Sequence, residues 1–302
     1  MRIGISQDEP AGPQALIRLR DQLQHAADDG FASAWVTNIF GLDALTSLAV
    51  AGSQVPGIEL GTAVVPTYPR HPAVLAQQAL TTATAVDGRL TLGIGLSHKI
   101  VIEDMYGYSY DRPVRHMQEY LSILLPLLNG EQAAFDGETM RASIGLTTPR
   151  PGRVPVLLAA LGPQMLRLAG RLTDGTVLWM TGPATVRDHI VPTISEAAQA
   201  AGRPSPRVVC VLPICVTDDP DGARARANRV FAIYGQLPSY RAMLDREGAE
   251  EPGDIALIGD EQAVAGKIGV LEESGVTDFV AAQFSRGDDA ERTRALLKSL
   301  LG

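Results

Sequence analysis

The sequence lacks the features that mark secreted, membrane-spanning or nucleic-acid-binding proteins. It has 2 cysteines, and its 26 Lys and Arg against 34 Asp and Glu give a net charge of −8. Such an acidic chain has little electrostatic affinity for nucleic acid or anionic membranes. No apolar run reaches the roughly 20 residues that span a bilayer. We therefore expect a soluble cytoplasmic protein that binds neither nucleic acid nor membranes.

The scarce cysteines and the amino terminus support the same expectation. Cys210 and Cys215 both lie in the apolar run 208–216, so we interpret them as buried strand residues rather than as a disulfide or a metal site. The first six residues have the pattern of a strand and not of a signal peptide. No cluster of His, Cys and acidic residues indicates a metal site.

What the sequence does contain is a regular alternation of short apolar strands and amphipathic helices. Strands are predicted at residues 2–6, 32–37, 58–65, 90–95, 154–160, 175–180, 207–216 and 276–284. Helices are predicted at residues 13–29, 42–51, 72–86, 112–128, 163–170, 185–201, 260–274 and 288–301. Eight such units predict an α/β fold, a (β/α)8 TIM barrel formed by one domain over residues 1–302. The alternative, an open doubly wound sheet, lacks its glycine-rich loop after the first strand.

Three segments depart from this alternation and are predicted to be insertions, around residues 97–112, 130–152 and 220–255. Residues 132–144 have the pattern of an antiparallel hairpin that turns near Asp136 and Gly137. Residues 220–249 are predicted to form two helices with Gly235 between them. Insertions of this kind commonly cover the active-site face of a barrel.

The segment from Leu90 to His98 is the most informative part of the chain. Its apolar run is interrupted by Gly93 and Gly95 and ends in the polar pair Ser97 and His98. Ligands of parallel α/β proteins bind at the carboxyl ends of strands, and glycine lets the backbone approach a ligand closely. We interpret His98 as a residue presented to a flat cofactor. An ordinary loop after a strand is the alternative.

Two later strand ends lead directly into helices through Gly-Pro and could bind a phosphate at the helix amino terminus. The residues are Ala160, Leu161, Gly162 and Pro163 in the first turn, and Met180, Thr181 and Gly182 in the second. A clean helix start is the alternative for each turn. The strand ends otherwise carry apolar groups, one His and Asn38, without paired carboxylates or a nucleophile elbow. This composition suits a planar organic cofactor that supplies its own chemistry.

Several longer stretches resemble the luciferase-like superfamily, in its branch that uses the deazaflavin coenzyme F420. The matching stretches are residues 61–78, 88–95 and 169–176. The resemblance implies a homodimeric (β/α)8 barrel and a non-proline cis peptide at Ala63–Val64 that supports the deazaflavin ring. It also implies cofactor contacts from Asn38, from Ser97 and His98, and from the two Gly-Pro turns.

The implied activity is hydride transfer from reduced F420 to a C=N or C=C bond of a small organic substrate. His98 or water is the predicted proton donor, because a His titrates near neutral pH, and Asn38 is predicted to take part in catalysis by a hydrogen bond to the edge of the cofactor ring. The sugar-phosphate dehydrogenases of the family have Asp-His at the second strand end, where this chain has Asn38 and Ile39, and a carboxylate at the position of His98. That reaction is therefore disfavoured.

Three alternatives stay open. The first is a luciferase-like monooxygenase that uses FMN, and the second is a dehydrogenase that reduces F420 with an alcohol or a sugar. The third is a cofactor-free binding protein, since a fold does not determine a function. His71, His116 and His189 lie on or near helices and are interpreted as surface or capping residues.

Overall fold

The computed structural model describes every residue from Met1 to Gly302 and contains twelve strands. The strands are β1 (Arg2–Ser6), β2 (Ser33–Val36), β3 (Glu59–Thr62), β4 (Val65–Pro66), β5 (Leu90–Gly95), β6 (Ala133–Asp136), β7 (Arg141–Ile144), β8 (Val156–Leu158), β9 (Gly175–Trp179), β10 (Arg207–Val216), β11 (Leu257–Gly259) and β12 (Asp278–Gln283). The predicted bounds of β1, β5 and β10 are confirmed to the residue.

Twelve α-helices follow or separate these strands. They are α1 (Ala15–Asp28), α2 (Ala44–Ala51), α3 (Pro72–Ala85), α4 (Pro113–Asn129), α5 (Pro163–Leu172), α6 (Pro183–Thr185), α7 (Val191–Ala200), α8 (Pro220–Val230), α9 (Ala232–Gln236), α10 (Pro238–Glu247), α11 (Glu261–Glu273) and α12 (Asp288–Ser299). Wider π-helical turns occupy Val101–Met105 and Val186–Ile190. No helix combines the length and the hydrophobicity that a membrane crossing requires.

The strand order closes on itself. Strands β1, β2, β3, β5, β8, β9, β10 and β12 pair in that sequence, and β12 pairs in parallel with β1. The short strands β4 and β11 add to β5 and β10, and β6 and β7 form a separate hairpin. An open doubly wound sheet would leave two edge strands, so the predicted (β/α)8 barrel is confirmed and the alternative is wrong.

The chain divides into two compact units. The first unit contains Met1–Gln7, Ala26–Trp35 and Ala160–Gly302, and the second unit contains Asp8–His25 and Val36–Ala159. In the first unit, Cys210 lies in register with Leu178 of β9 and Phe279 of β12, and all three side chains are fully buried. Cys215 is also buried and both thiols are free, as the sequence predicts.

The insertions differ from the prediction in two respects. Residues 220–249 form three helices, and Gly235 lies inside α9 rather than between helices. The break falls at Leu237, because Pro238 has no backbone N–H and holds the residue before it in an extended conformation. Strand β11 was not predicted, since three apolar residues are too few to show a period.

The hairpin of β6 and β7 is confirmed, and a buried carboxylate of α4 holds its turn. Glu119 is only 5% exposed and accepts hydrogen bonds from the backbone N–H groups of Glu138 (3.1 Å), Thr139 (2.8 Å) and Met140 (3.2 Å). Burial by itself raises the pKa of Glu119. The hydrogen bonds from Thr139, Glu138 and Met140 together lower this pKa by more, so it lies below its ordinary value.

Replacing this carboxylate therefore destabilises the protein. We expect Glu119→Ala to lower the free energy of unfolding by about 1–3 kcal/mol, because the turn loses its acceptor. Urea denaturation measures the change, and Glu131→Ala, at an exposed position just after the same helix, is the matched control. Equal losses in the two variants would contradict the assignment.

Candidate functional site

In the second unit, the backbone leaves the sheet at the end of β3. The peptide between Ala63 and Val64 is cis, as predicted from the resemblance. Both side chains are partly exposed, and the N–H of Ala63 donates to the carbonyl of Val36 at 2.8 Å. The chain returns to the sheet at Val65, which pairs with Ile94 of β5. The result is a small apolar bulge beside the carboxyl end of β5.

The two glycines of β5 make room for this bulge. A Cβ at Gly93 would lie 2.0 Å from the carbonyl oxygen of Thr62, and a Cβ at Gly95 would lie 2.7 Å from Val64 Cγ2. Both glycines are buried. The interpretation that they let the backbone approach a ligand is therefore wrong, because the groups that approach them are the Thr62 carbonyl and the Val64 side chain.

The loop after β5 presents Ser97 and His98. Ser97 has a left-handed φ of 60°, and its carbonyl accepts a hydrogen bond from the hydroxyl of Tyr110 at 3.2 Å. The carbonyl of His98 accepts from the N–H groups of Val101 (2.9 Å) and Ile102 (3.0 Å), at the start of the π-helical turn. His98 is half-buried, and this burial lowers its pKa below the ordinary value. The imidazole is therefore mainly neutral at pH 7.

Asn38, which follows β2, stabilises the start of the next helix. Its Oδ1 accepts a hydrogen bond from the N–H of Ala44 at 3.0 Å and so fixes the start of α2. The side chain is half-buried, and the neighbouring Phe40 is 63% exposed. The NH2 group of Asn38 makes no hydrogen bond like that of Oδ1 and is the donor that it can offer to a ligand.

A stack of rings supports the Ser97–His98 loop, and sequence analysis missed it. The ring of Tyr68 stacks on His116 with a centroid distance of 3.8 Å, and Tyr110 lies 5.4 Å beyond Tyr68. His116 is 7% exposed, so its interpretation as a surface residue is wrong. Burial lowers the pKa of His116 to about 4, and burial raises the pKa of Tyr110 to about 12. The stack is therefore uncharged at neutral pH.

In the first unit, the turn before α5 is open. Gly162 is exposed, a Cβ there would meet nothing within 4 Å, and no side chain caps the helix. The carbonyl of Leu161 lies 2.8 Å from Nε2 of His189, so His189 braces this turn rather than capping a helix. Ala160 is 1% exposed, which excludes its methyl group from contact with a ligand, and Pro163 is exposed. This turn keeps the free amide groups that an anion needs.

The second predicted phosphate turn is already filled by a carboxylate of the chain itself. Glu247, the last residue of α10, accepts from the N–H groups of Ala184 (3.1 Å) and Thr185 (2.7 Å). Met180 and Thr181 are fully buried, and Gly182 packs against Glu247. We therefore do not assign a phosphate to Met180, Thr181 or Gly182, because the donors there have an acceptor.

The comparisons with known proteins identify one family, whose members include both F420-dependent enzymes and monooxygenases. A family model described as "luciferase-like monooxygenase" matches residues 2–278. The 5,10-methylenetetrahydromethanopterin reductase of Methanolobus tindarius is 28% identical over 294 residues, covering 97% of this chain and 88% of that protein. The F420-dependent glucose-6-phosphate dehydrogenase of Nakamurella multipartita is 28% identical over 221 residues, covering 71% of this chain and 63% of that protein.

A solved structure shows the same fold. The coenzyme F420-dependent tetrahydromethanopterin reductase from Methanopyrus kandleri superposes with a TM-score of 0.83 and 22% identity, covering 98% of this chain and 97% of that one. The likeness therefore extends over the barrel and its insertions.

The ring stack yields a test by pH. The folded pKa of His116 lies below the unfolded value of about 6.5, so the unfolded chain binds more protons and stability falls as pH falls from about 6.5 to about 4. We expect His116→Gln to make this decline less steep by about 1 kcal/mol per pH unit. Urea denaturation at several pH values measures it. The exposed His25→Gln is the control and should keep the parent slope; equal slopes in all three proteins would contradict the assignment.

Proposed function

Because the chain belongs to the luciferase-like monooxygenase family, we propose that it is an F420-dependent oxidoreductase. The favoured reaction transfers a hydride from reduced F420 to a C=N or C=C bond of a small organic substrate. The single observation that carries this proposal is the partly exposed, apolar Ala63–Val64 bulge at the carboxyl end of β5, from which the half-buried His98 loop continues. The resemblance implies this feature for F420 enzymes.

The residues of the second unit fit a flat, apolar ring. The partly exposed side chains of Ala63 and Val64 offer a surface for one face of the ring, and Asn38 offers an NH2 donor for its edge. Ser97 and His98 supply polar groups on a braced loop. Few polar groups on an apolar surface are typical of cofactor sites.

The phosphate is proposed to bind at the start of α5. Gly162 leaves space there, and the first-turn N–H groups of the helix are not capped by a side chain. Leu161 lies partly exposed in the same turn and adds apolar contact. Helix amino termini attract anions because their N–H groups are free and the helix dipole is positive at that end.

When bound, reduced F420 supplies the hydride. His98 is proposed to supply the proton to the substrate, either directly or through water. Its lowered pKa leaves a minor protonated fraction at pH 7, and this fraction loses its proton readily. The partly buried Tyr110 hydroxyl donates a hydrogen bond to the carbonyl of Ser97 and so limits movement of the His98 backbone.

The names of two relatives imply opposite directions of hydride transfer. One is named a reductase and the other a dehydrogenase, and both are 28% identical to this chain. The reverse reaction, which oxidises an alcohol or a sugar and reduces F420, would use the same residues. An FMN-dependent monooxygenase is the second candidate, because the matching family is described by that activity. The homodimer and the cytoplasmic location stay predictions from the sequence.

A binding titration tests the cofactor. We expect the purified protein to bind F420 more tightly than FMN. We also expect Gly162→Asp to weaken F420 binding by roughly tenfold, because it places a negative charge where the phosphate is proposed to bind. Gly266→Asp is the control, since this glycine is exposed on α11 with open space around it. Preference for FMN would favour the monooxygenase. Binding of neither cofactor would favour the binding protein.

The pH profile tests His98. Because only the protonated imidazole donates a proton, we expect kcat/KM for F420-dependent reduction to rise as pH falls from 8 to 6. His98→Asn should lower kcat/KM by roughly 100-fold and flatten the profile. His25→Asn, at an exposed position of the same unit, should leave both unchanged. A parent-like profile in His98→Asn would remove this role from His98.

A further inference from the structure

An aromatic group lies at the carboxyl ends of β9 and β12 in the first unit. Trp179 is the last residue of β9, and Phe284 follows β12. Val211 of β10 lies in register with Trp179 and with Val280 of β12. Because side chains alternate along a strand, Phe284, four residues after Val280, is on the same face of the sheet as Trp179. Phe231 contacts both rings, with centroid distances of 5.7 Å and 5.8 Å. These rings are partly exposed and form a wall at the end of the barrel where ligands bind.

The insertion extends this wall. Tyr234 of α9 packs edge-on against Trp179 at 5.5 Å. Trp179 is one of 2 tryptophans in the chain, and the other, Trp35, is fully buried in β2. Phe231 and Phe284 pack on one side against buried residues of β10, α8 and β11, and the part of each ring that stays exposed can contact a flat molecule.

A cation without a carboxylate partner stands beside the aromatic wall. The guanidinium of Arg226 on α8 lies 5.4 Å from the ring centroid of Phe284. Its Nη2 donates to the sulfur of Cys215 at 3.4 Å, which is a weak acceptor, and its buried Nε bonds to no protein atom. No acidic side chain lies within ion-pair distance of Arg226.

Other half-buried arginines of the first unit are paired differently. Arg207 donates to Asp278 at 2.7 Å, and Arg292 donates to Glu261 at 2.9 Å. A chain with 34 acidic residues thus places carboxylates against comparable guanidinium groups but not against Arg226. The protein supplies no carboxylate to offset the charge of this partly exposed guanidinium, and an anion bound at its solvent-facing side would do so.

We infer that Arg226 and the aromatic wall form the substrate subsite and that they select a planar, conjugated molecule carrying a carboxylate. The inference rests on the proposed function, because it names the substrate class of that enzyme. Guanidinium binds a carboxylate in a planar fork, and the rings of Trp179, Phe231 and Phe284 contact the flat body. Because the net charge of the chain is −8, a local cation would offset the overall repulsion of an anionic substrate.

Isothermal titration calorimetry with trans-cinnamate and its neutral analogue trans-cinnamamide tests the subsite. We expect the full-length parent to bind cinnamate at least roughly tenfold more tightly than cinnamamide. Arg226→Met should remove this preference and leave cinnamamide binding unchanged, and Arg226→Lys should keep part of it. Arg224→Met is the matched control, because Arg224 lies exposed on the same helix and pairs with Asp221.

A salt titration and an F420 titration distinguish failure of the subsite inference from failure of the proposed function. In the parent, raising NaCl from 20 mM to 500 mM should weaken cinnamate binding only, a result that needs no variant to fold. Equal binding of the two probes, or binding of neither, overturns the inference. If Arg226→Met weakens F420 binding instead of cinnamate binding, Arg226 serves the cofactor and the inference is also overturned. Failure of the parent to bind F420, with cinnamate preference intact, overturns the proposed function and leaves the anionic subsite standing.

Discussion

One buried hydroxyl joins the two strands on which the candidate cofactor site depends. Oγ1 of Thr62 donates to the carbonyl of Gly93 at 2.8 Å and accepts from the N–H of the same residue at 2.9 Å. These bonds satisfy the backbone N–H and carbonyl of Gly93 in β5 at the point where β3 ends. The chain can therefore turn outward at Ala63 without leaving these two groups unpaired. Because Gly93 has no Cβ, the two backbones can approach closely enough for this contact. The apolar bulge, and with it the proposed ring surface, follows from that approach.

The distribution of carboxylates decides where an external anion can bind. Glu119 and Glu247 each accept hydrogen bonds from consecutive backbone N–H groups, so those turns are complete without a ligand. The turn at Gly162 and the guanidinium of Arg226 have no such partner. Free N–H donors near a surface are favourable positions for phosphate or carboxylate. The same rule disfavours one predicted phosphate turn and supports the proposals of a phosphate at Gly162 and an anion at Arg226.

Much of the fold was predictable, because strand and helix periods are local properties of the chain. The bounds of β1, β5 and β10 agree with the prediction, and Asp260 caps α11 as its side-chain chemistry suggests. The short strand β11 and the helix α9 were missed, since elements of three to five residues show no period. The strand-end position of His98 was predictable for the same local reason.

The sequence by itself determined the alternation of strands and helices, the closed barrel class and the set of polar residues at the strand ends, because these depend on patterns within a few residues. The tertiary structure decided which groups are already occupied. Glu247 reaches the N–H of Ala184 across 63 positions, and His116 meets Thr67 across 49. Contacts over such separations result from the packing of whole elements. No local sequence pattern indicates which backbone N–H groups such long-range contacts satisfy and which remain without an acceptor.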